Sequence, residues 1–182
     1  VMDLPAEQRN PETEKAINGK IIECKTNKYT SVISISVLNM LFNKPGFINQ
    51  MSFDFTENGV NFTWREKEET NTIFAGMNGE YDMHLCDLHY HAYSKAAWQS
   101  DGTLKLWIRP VETAHVRQFT FKFDGNNVQI KNDMQPRFEE LAIYNMTFLG
   151  MPVPHDFEGT VGKLVHDLGL PLVEPDFKGV IK

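Results

Sequence analysis

The chain has 182 residues, 41% of them apolar and 23% charged, which is typical of one soluble globular domain. Its formal net charge of −6 gives no electrostatic attraction toward nucleic acid or anionic lipid, so we expect no nucleic-acid partner. No segment approaches the roughly 20 apolar residues of a membrane span, and two cysteines are too few for a disulfide framework, although one bridge between Cys24 and Cys86 stays open.

The first eighteen residues are polar and contain proline, without the charged-then-apolar order of a targeting segment. We interpret residues 1–18 as a linker from a missing upstream domain. Any signal peptide would then lie upstream of Val1, and the location of the protein stays open, with the cytoplasm as the default.

From Gly19 onward, apolar residues alternate with polar ones, as in half-buried antiparallel strands. Residues 30–38 form the first such run, and residues 38–50 could hold a helical turn before Pro45. A hairpin follows over residues 51–66, with its turn at Glu57-Asn58-Gly59. Its inward residues are predicted to be Met51, Phe53, Phe55, Val60, Phe62 and Trp64.

The second half repeats this plan, with turns at Asp101-Gly102 and at residues 124–127. Strands that recur about every ten residues predict a mostly β fold, either an antiparallel up-and-down barrel or a strongly bent sheet, with one or two short helices. We assign residues 19–149 to this domain and residues 150–182 to a tail that packs on it or is loosely attached. The predicted inward residues are Leu104, Leu106, Ile108, Phe119, Phe121, Phe123, Val128 and Ile130.

Residues 84–93 read HLCDLHYHAY and contain residue types that bind zinc. One interpretation is a metal site that uses His84, His89 and His91. The other, which we favour, is one long strand over residues 79–98 that carries imidazoles on its outer face, because no spacing in the sequence requires a further ligand. We therefore expect no cofactor. Cys86 as a nucleophile is disfavoured, and the charge run at residues 65–71 is expected to face solvent.

Residues 94–130 resemble the C-terminal accessory domain of class C β-lactamase-like serine hydrolases, of the penicillin-binding-protein superfamily in Firmicutes. The similarity extends over residues 16–148, although Ile21 stands where the family usually has Tyr and the tail has no counterpart. It is carried by Ala96, Ala97 and Trp98, by Asp101 to Leu104, by Arg109, Glu112 and Thr113, and by Phe119, Phe121, Phe123, Asp124 and Gly125.

This resemblance implies a lipocalin-like β-barrel fused to an upstream hydrolase domain, which would be its partner. The superfamily's Ser-x-x-Lys, Tyr-x-Asn and Lys-Thr-Gly motifs are absent from the sequence, so we expect no catalysis by this chain. The resemblance implies that the domain has a structural role, shapes access of substrate to the hydrolase, or provides a binding or homodimer surface.

Two other functions stay open: a stand-alone lipocalin-like protein that binds a small ligand, and a zinc-dependent enzyme built on residues 84–91. A hollow barrel would favour the carrier, and a filled core would argue against it. The candidate ligand contacts are outward aromatics and one cation: Trp98, Trp107, Tyr90, Tyr93 and Arg109. For Trp98 and Tyr90 we favour the alternative that they pack within the fold.

Overall fold

The computed structural model describes residues 9–25, 48–85, 91–111, 116–135, 140, 143, 147–150, 152 and 176–182. The strand predicted at residues 30–38 and the helical turn before Pro45 lie outside these residues.

Within these ranges, one α-helix precedes a set of short strands. The helix is α1 (Pro11–Ile17), and the strands are β1 (Ile21–Lys25), β2 (Ile48–Phe55), β3 (Gly59–Glu66), β4 (Glu69–Gly76), β5 (Asp82–Leu85), β6 (His91–Trp98), β7 (Leu104–Pro110), β8 (Val116–Asp124), β9 (Asn127–Gln135) and β10 (Phe177–Ile181). No helix in this part of the chain is long and apolar enough to cross a membrane.

The described strands form one sheet in the order β4-β3-β2-β1-β10-β9-β8-β7-β6-β5. A parallel bridge between Gly76 on β4 and Lys95 on β6 joins the two sides of this sheet. The result is a closed barrel of nine strands, with β5 paired beside the first half of β6. Closure removes the unpaired sheet edges that would otherwise template aggregation. The prediction of a lipocalin-like, mostly antiparallel barrel is confirmed.

The hairpins predicted from the alternating runs are present with the expected faces. Phe53 pairs with Phe62 in the β2–β3 hairpin, and Phe121 pairs with Ile130 in the β8–β9 hairpin. The turn of the second hairpin uses Gly125, whose φ of +56° lies in the left-handed region that glycine adopts without strain. All the predicted inward residues belong to the buried core or pack against it.

The sequence from residue 177 onward belongs to the barrel itself. β10 lies between β1 and β9 and pairs antiparallel with both. Phe177, Gly179 and Ile181 face inward, and a Cβ at Gly179 would collide with the side chain of Ile22. The barrel therefore does not end at residue 149, as the interpretation of residues 150–182 as a tail implied.

Residues 79–98 do not form the single long strand that we expected. β5 and β6 run antiparallel, so that His84 lies opposite Ala92 and Leu85 lies opposite His91. His89, Cys86 and Asp87 lie outside the described residues. The expectation of one strand is wrong because residues 82–85 pair with residues 91–94 instead of continuing into them.

The helix α1 begins where the sequence provides a cap. The Asn10 side chain accepts a hydrogen bond from the backbone N–H of Thr13 at 3.2 Å, and the backbone N–H of Asn10 donates to Glu14 Oε1 at 3.2 Å. Pro11 occupies the first turn, where its missing N–H costs nothing. Ile17 packs into the core, so residues 11–17 of the expected linker form a helix on the barrel.

Candidate ligand site in the barrel interior

The two ends of the barrel differ in what their inner faces carry. We call the end where β3 begins and β6 finishes the helix end, because α1 lies there. We call the opposite end, where β3 finishes at Glu66 and β8 begins, the polar end. Strand direction follows from the antiparallel pairings, so each inner residue can be placed at one end or the other.

The interior at the helix end is filled by aromatic rings. The Phe53 and Phe121 ring centroids are 4.9 Å apart in an edge-to-face arrangement, and those of Trp98 and Phe123 are 5.7 Å apart. Phe55 stacks on Trp98 at 6.5 Å. Such geometry adds about 0.5–1.5 kcal/mol per pair beyond the burial of apolar area. This end is a packed core.

A partly buried ion pair closes the same end. Arg9 Nη2 lies 2.7 Å from Glu14 Oε2, and Arg9 also donates to the carbonyls of Thr56 and Glu57 in the β2–β3 turn. Trp98 Nε1 donates to Glu14 Oε1 at 2.8 Å. Burial alone would raise the pKa of Glu14, but the hydrogen bonds from Arg9, Asn10 and Trp98 and the Arg9 charge outweigh it, so that the pKa is lowered.

Polar side chains replace apolar ones on the inner face of the polar end. Each continues a series of alternate inward residues along its strand. Glu66 follows Trp64 and Asn132 follows Ile130, whereas Asn71 precedes Ile73 and Arg117 precedes Phe119. The four residues are Glu66, Asn71, Arg117 and Asn132, and each is at most 4% exposed. Residues of these types are rarely buried unless they are paired or take part in binding.

These residues lie on opposite walls of the barrel. β3 and β8 are four or five strands apart around the nine-strand barrel, as are β4 and β9. Phe62 on β3 and Phe119 on β8 meet across the interior with ring centroids 5.8 Å apart. Arg117 is the next inner position of β8 beyond this aromatic contact, toward the polar end. Two polar walls therefore stand above an aromatic floor made by Phe62 and Phe119.

Hydrogen bonding in this layer is incomplete. Trp64 Nε1 donates to Glu66 Oε1 at 2.9 Å, and Arg117 also has a partner. In contrast, Asn71 Nδ2 and both Asn132 Nδ2 and Oδ1 are buried and find no hydrogen-bond partner in the described part of the chain. A buried polar atom without a partner costs about 1–3 kcal/mol. Native proteins keep such atoms where an ion, a water or a ligand completes them.

Small side chains line the neighbouring wall. On β6 the inward residues before Trp98 are Ala92, Ser94 and Ala96, and Ala75 is an inward residue of β4, the strand bridged to β6. Ser94 is satisfied, because its hydroxyl donates to the carbonyl of Phe74. This wall extends less far into the interior than the aromatic walls do.

A groove on the outer face of β1 to β4 is a weaker candidate for a ligand site than the interior layer. Its volume is about 190 Å³, and its lining includes Ile21, Gln50, Thr63 and Arg65. The hydroxyl of Thr63 is already hydrogen-bonded to that of Thr72 at 2.9 Å. Because no buried unpartnered atom of the described residues lies in this groove, it lacks the unmet hydrogen bonds of the interior layer.

The structure places two of the predicted ligand contacts away from solvent. Trp98 faces the core at 1% exposure, because Ala92, Ser94, Ala96 and Trp98 share the inner face of β6, so the favoured alternative that it packs in the core is confirmed and its candidacy as an outward contact is not. Trp107 lies between the inward residues Leu106 and Ile108 and is only 2% exposed. Its Nε1 donates to Gln118 Oε1 at 2.9 Å.

Two other predicted contacts are neighbours on the outer face. Tyr93 on β6 pairs with Arg109 on β7, and both are exposed. Burial raises the pKa of the adjacent Tyr81, and the charge of Arg109 opposes that rise. Lys95 Nζ lies 5.6 Å from the Tyr81 ring centroid. Tyr90 lies outside the described residues, so the predicted set is only partly brought together.

The zinc hypothesis receives no geometric support from the described ranges. His84 and His91 lie on paired strands, with His91 exposed, and His89 is not among the described residues. The described residues contain no group of three or more His, Cys, Asp or Glu side chains that could hold a metal ion. The metal site stays a prediction.

The interior polar layer was missed by the sequence interpretation. Glu66 belongs to the charge run at residues 65–71 that we expected in solvent, yet it is 2% exposed because it continues the inward series of Phe62 and Trp64. The sequence did contain a signal for this layer, namely which residues of each alternating run are in phase with the inward apolar ones. A polar residue two positions from an inward apolar residue faces inward too.

Comparisons with known proteins identify no family. No protein-family model matches the sequence, and no curated protein matches it. The fold is similar to the crystal structure of apo lipid binding protein 8 from Caenorhabditis elegans, with a TM-score of 0.48 and 7% sequence identity over 68% of this chain and 89% of that one. The barrel implied by the resemblance to the hydrolase accessory domain is present, whereas nothing in these comparisons supports a hydrolase parent or an origin in Firmicutes.

Proposed function

We propose that this chain binds one small molecule inside the barrel, at its polar end. The observation that carries the proposal is the pair of buried asparagines, in which Asn71 Nδ2, Asn132 Nδ2 and Asn132 Oδ1 have no hydrogen-bond partner among the described residues. A ligand between the two walls would supply those partners and offset the cost of their burial.

The surroundings of the asparagines suit a partly apolar ligand. The Phe62 and Phe119 rings form an apolar floor, and the inner face of β6 adds the small apolar side chains of Ala92 and Ala96. Ligand sites in small barrels combine such apolar walls with a few polar groups that fix orientation. The packed helix end supports binding by one small molecule at the polar end, and not by a long ligand that threads the whole barrel.

The test is titration with N-phenyl-1-naphthylamine, an uncharged dye that fluoresces in apolar sites. We expect one dye molecule per chain and a raised melting temperature with dye. Asn132→Phe, which adds volume inside the polar end, should abolish saturable binding. The matched control is Gln129→Phe on the exposed outer face of β9, which should bind like the wild type.

Two results would overturn the proposal: no saturable binding by a folded wild-type chain, or equal binding by both phenylalanine variants. Circular dichroism and thermal melting establish that each variant is folded. If Asn132→Phe does not fold, Asn71→Phe on the opposite wall replaces it, with Asn61→Phe on the outer side of β3 as its control.

A second function is supported by the packed helix end, which favours a structural role over a fully hollow carrier. In this proposal the chain is an accessory domain of a serine hydrolase, either packed on an upstream hydrolase domain or forming a homodimer. The test is to read the coding frame upstream of the codon for Val1. A domain with Ser-x-x-Lys followed by Tyr-x-Asn would support this proposal, and an upstream frame without them would contradict it.

A further inference from the structure

We propose that the ligand carries an uncharged head group that both accepts and donates hydrogen bonds, as a carboxamide does. This inference rests on the proposed function and concerns the same interior site. The unmet hydrogen bonds of the polar end and the charges around them both favour such a head group.

The unmet bonds require a head group of mixed character. Asn71 Nδ2 and Asn132 Nδ2 are donors and need acceptors, whereas Asn132 Oδ1 is an acceptor and needs a donor. Because both polar atoms of Asn132 lack partners, exchanging its nitrogen and oxygen leaves the requirement unchanged. A head with a carbonyl-type oxygen beside an N–H or O–H meets this requirement. A carboxylate, which only accepts, leaves Asn132 Oδ1 without a partner.

The charges of the layer also favour a neutral head. Glu66 and Arg117 have formal charges of opposite sign, so the formal charges of the four described residues of this layer sum to zero. Arg117 already has a partner, and Glu66 accepts from Trp64. A charged head would enter this buried layer without a free counter-charge from these residues, and burying an uncompensated charge is strongly unfavourable.

Each asparagine also lies beside a large aromatic side chain of the interior. Asn71 lies directly opposite Trp64 on the neighbouring strand, and Asn132 lies directly opposite Phe119. Each amide is therefore beside one of the large rings of the interior. A ligand whose apolar body lies on the rings would hold its polar head at the level of both amides.

The experiment measures displacement of N-phenyl-1-naphthylamine by octanamide and by octanoate, which share nearly the same apolar body. We expect octanamide to compete at least about tenfold more strongly, since about one to two hydrogen bonds and the cost of a buried charge separate the two. Asn132→Leu should remove most of this preference by weakening octanamide. The control Gln129→Leu, on the outer face of the same strand, should leave the preference unchanged.

The outcomes separate the two proposals. Failure of the dye to bind overturns the proposed function. Dye binding with equal or stronger competition by octanoate, with no competition by either compound, or with an unchanged preference in Asn132→Leu overturns the present inference alone. If Asn132→Leu does not fold, Asn71→Leu takes its place, with a loss of several-fold expected for octanamide.

Discussion

The indole of Trp98 on β6 donates a hydrogen bond of 2.8 Å to the carboxylate of Glu14 on α1, across 84 residues of sequence. The same carboxylate accepts from Arg9, which in turn holds the β2–β3 turn through the carbonyls of Thr56 and Glu57. One buried acidic side chain therefore joins the helix, the barrel wall and the turn that close the helix end.

Replacement of this acid should weaken the whole fold. We expect Glu14→Gln to lower the free energy of unfolding by about 1–3 kcal/mol, because it leaves Arg9 without its charged partner and disturbs a buried hydrogen bond to Trp98. Urea denaturation measures the change. Glu12→Gln, on the exposed side of the same helix, is the matched control and should cost little. Equal effects of the two substitutions would contradict the role assigned to Glu14.

The contribution of Glu14 should depend on pH in a defined direction. Its pKa in the folded chain is below the ordinary value of 4.5, so the unfolded chain takes up the proton first as pH falls. The stabilisation is therefore complete above about pH 4.5 and is lost as pH falls through the folded pKa. Urea denaturation of the wild type and Glu14→Gln at a series of acidic pH values should show their difference shrinking. A difference that does not change with pH would exclude this linkage.

Cys24 should be unreactive while the barrel is folded. Burial raises the pKa of its thiol to about 12, so almost none of it is the reactive thiolate near neutral pH. In a Cys86→Ser background, labelling by Ellman's reagent should be slow in buffer and fast in urea. The raised pKa also means that the stability contributed by the thiol is present below its unfolded pKa and declines above about pH 8.5. Fast labelling of the folded protein would contradict the burial of this side chain.

Any side chain at Gly179 should lower the stability of the barrel. A Cβ at this position would overlap the side chain of Ile22 and approach Val128, so that β10 could not keep its place between β1 and β9 without rearrangement. We expect Gly179→Ala to cost about 1–3 kcal/mol of unfolding free energy. Val180→Ala, on the outer face of the same strand, should cost less. A thermal melt of Gly179→Ala like that of the wild type would show that Ile22 can give way.

The hairpins were predictable because two local signals agreed. In β2–β3 and β8–β9, apolar residues alternate strictly, and turn residues such as Gly125 stand where the register requires them. The strand β10 was not predictable in this way. Its sequence FKGVI has glycine at its centre, a residue typical of turns, and only the packing of Ile22 explains why glycine is needed there.

The phase of alternation explains the remaining errors. Along Ala96-Ala97-Trp98, two alanines in sequence do not show which face is inside, so both faces stayed open for Trp98, and the favoured alternative that it packs in the core is confirmed. Glu66 and Asn71, in the charge run at residues 65–71, were interpreted as outward because charges and amides usually lie in solvent. The buried polar residues of the polar end are exceptions to this preference for solvent, so residue type alone does not reveal them.

The position of β10 also sets the order in which the barrel can form during synthesis. β1 is the first of the described strands to leave the ribosome and β10 the last, yet β10 provides the hydrogen-bonded connection between β1 and β9. Until residues 177–181 emerge, each of these two strands has an unpaired edge that can template association with other chains. The nascent chain is therefore exposed to aggregation until this segment has emerged, and native closure of the barrel follows the synthesis of residues 177–181.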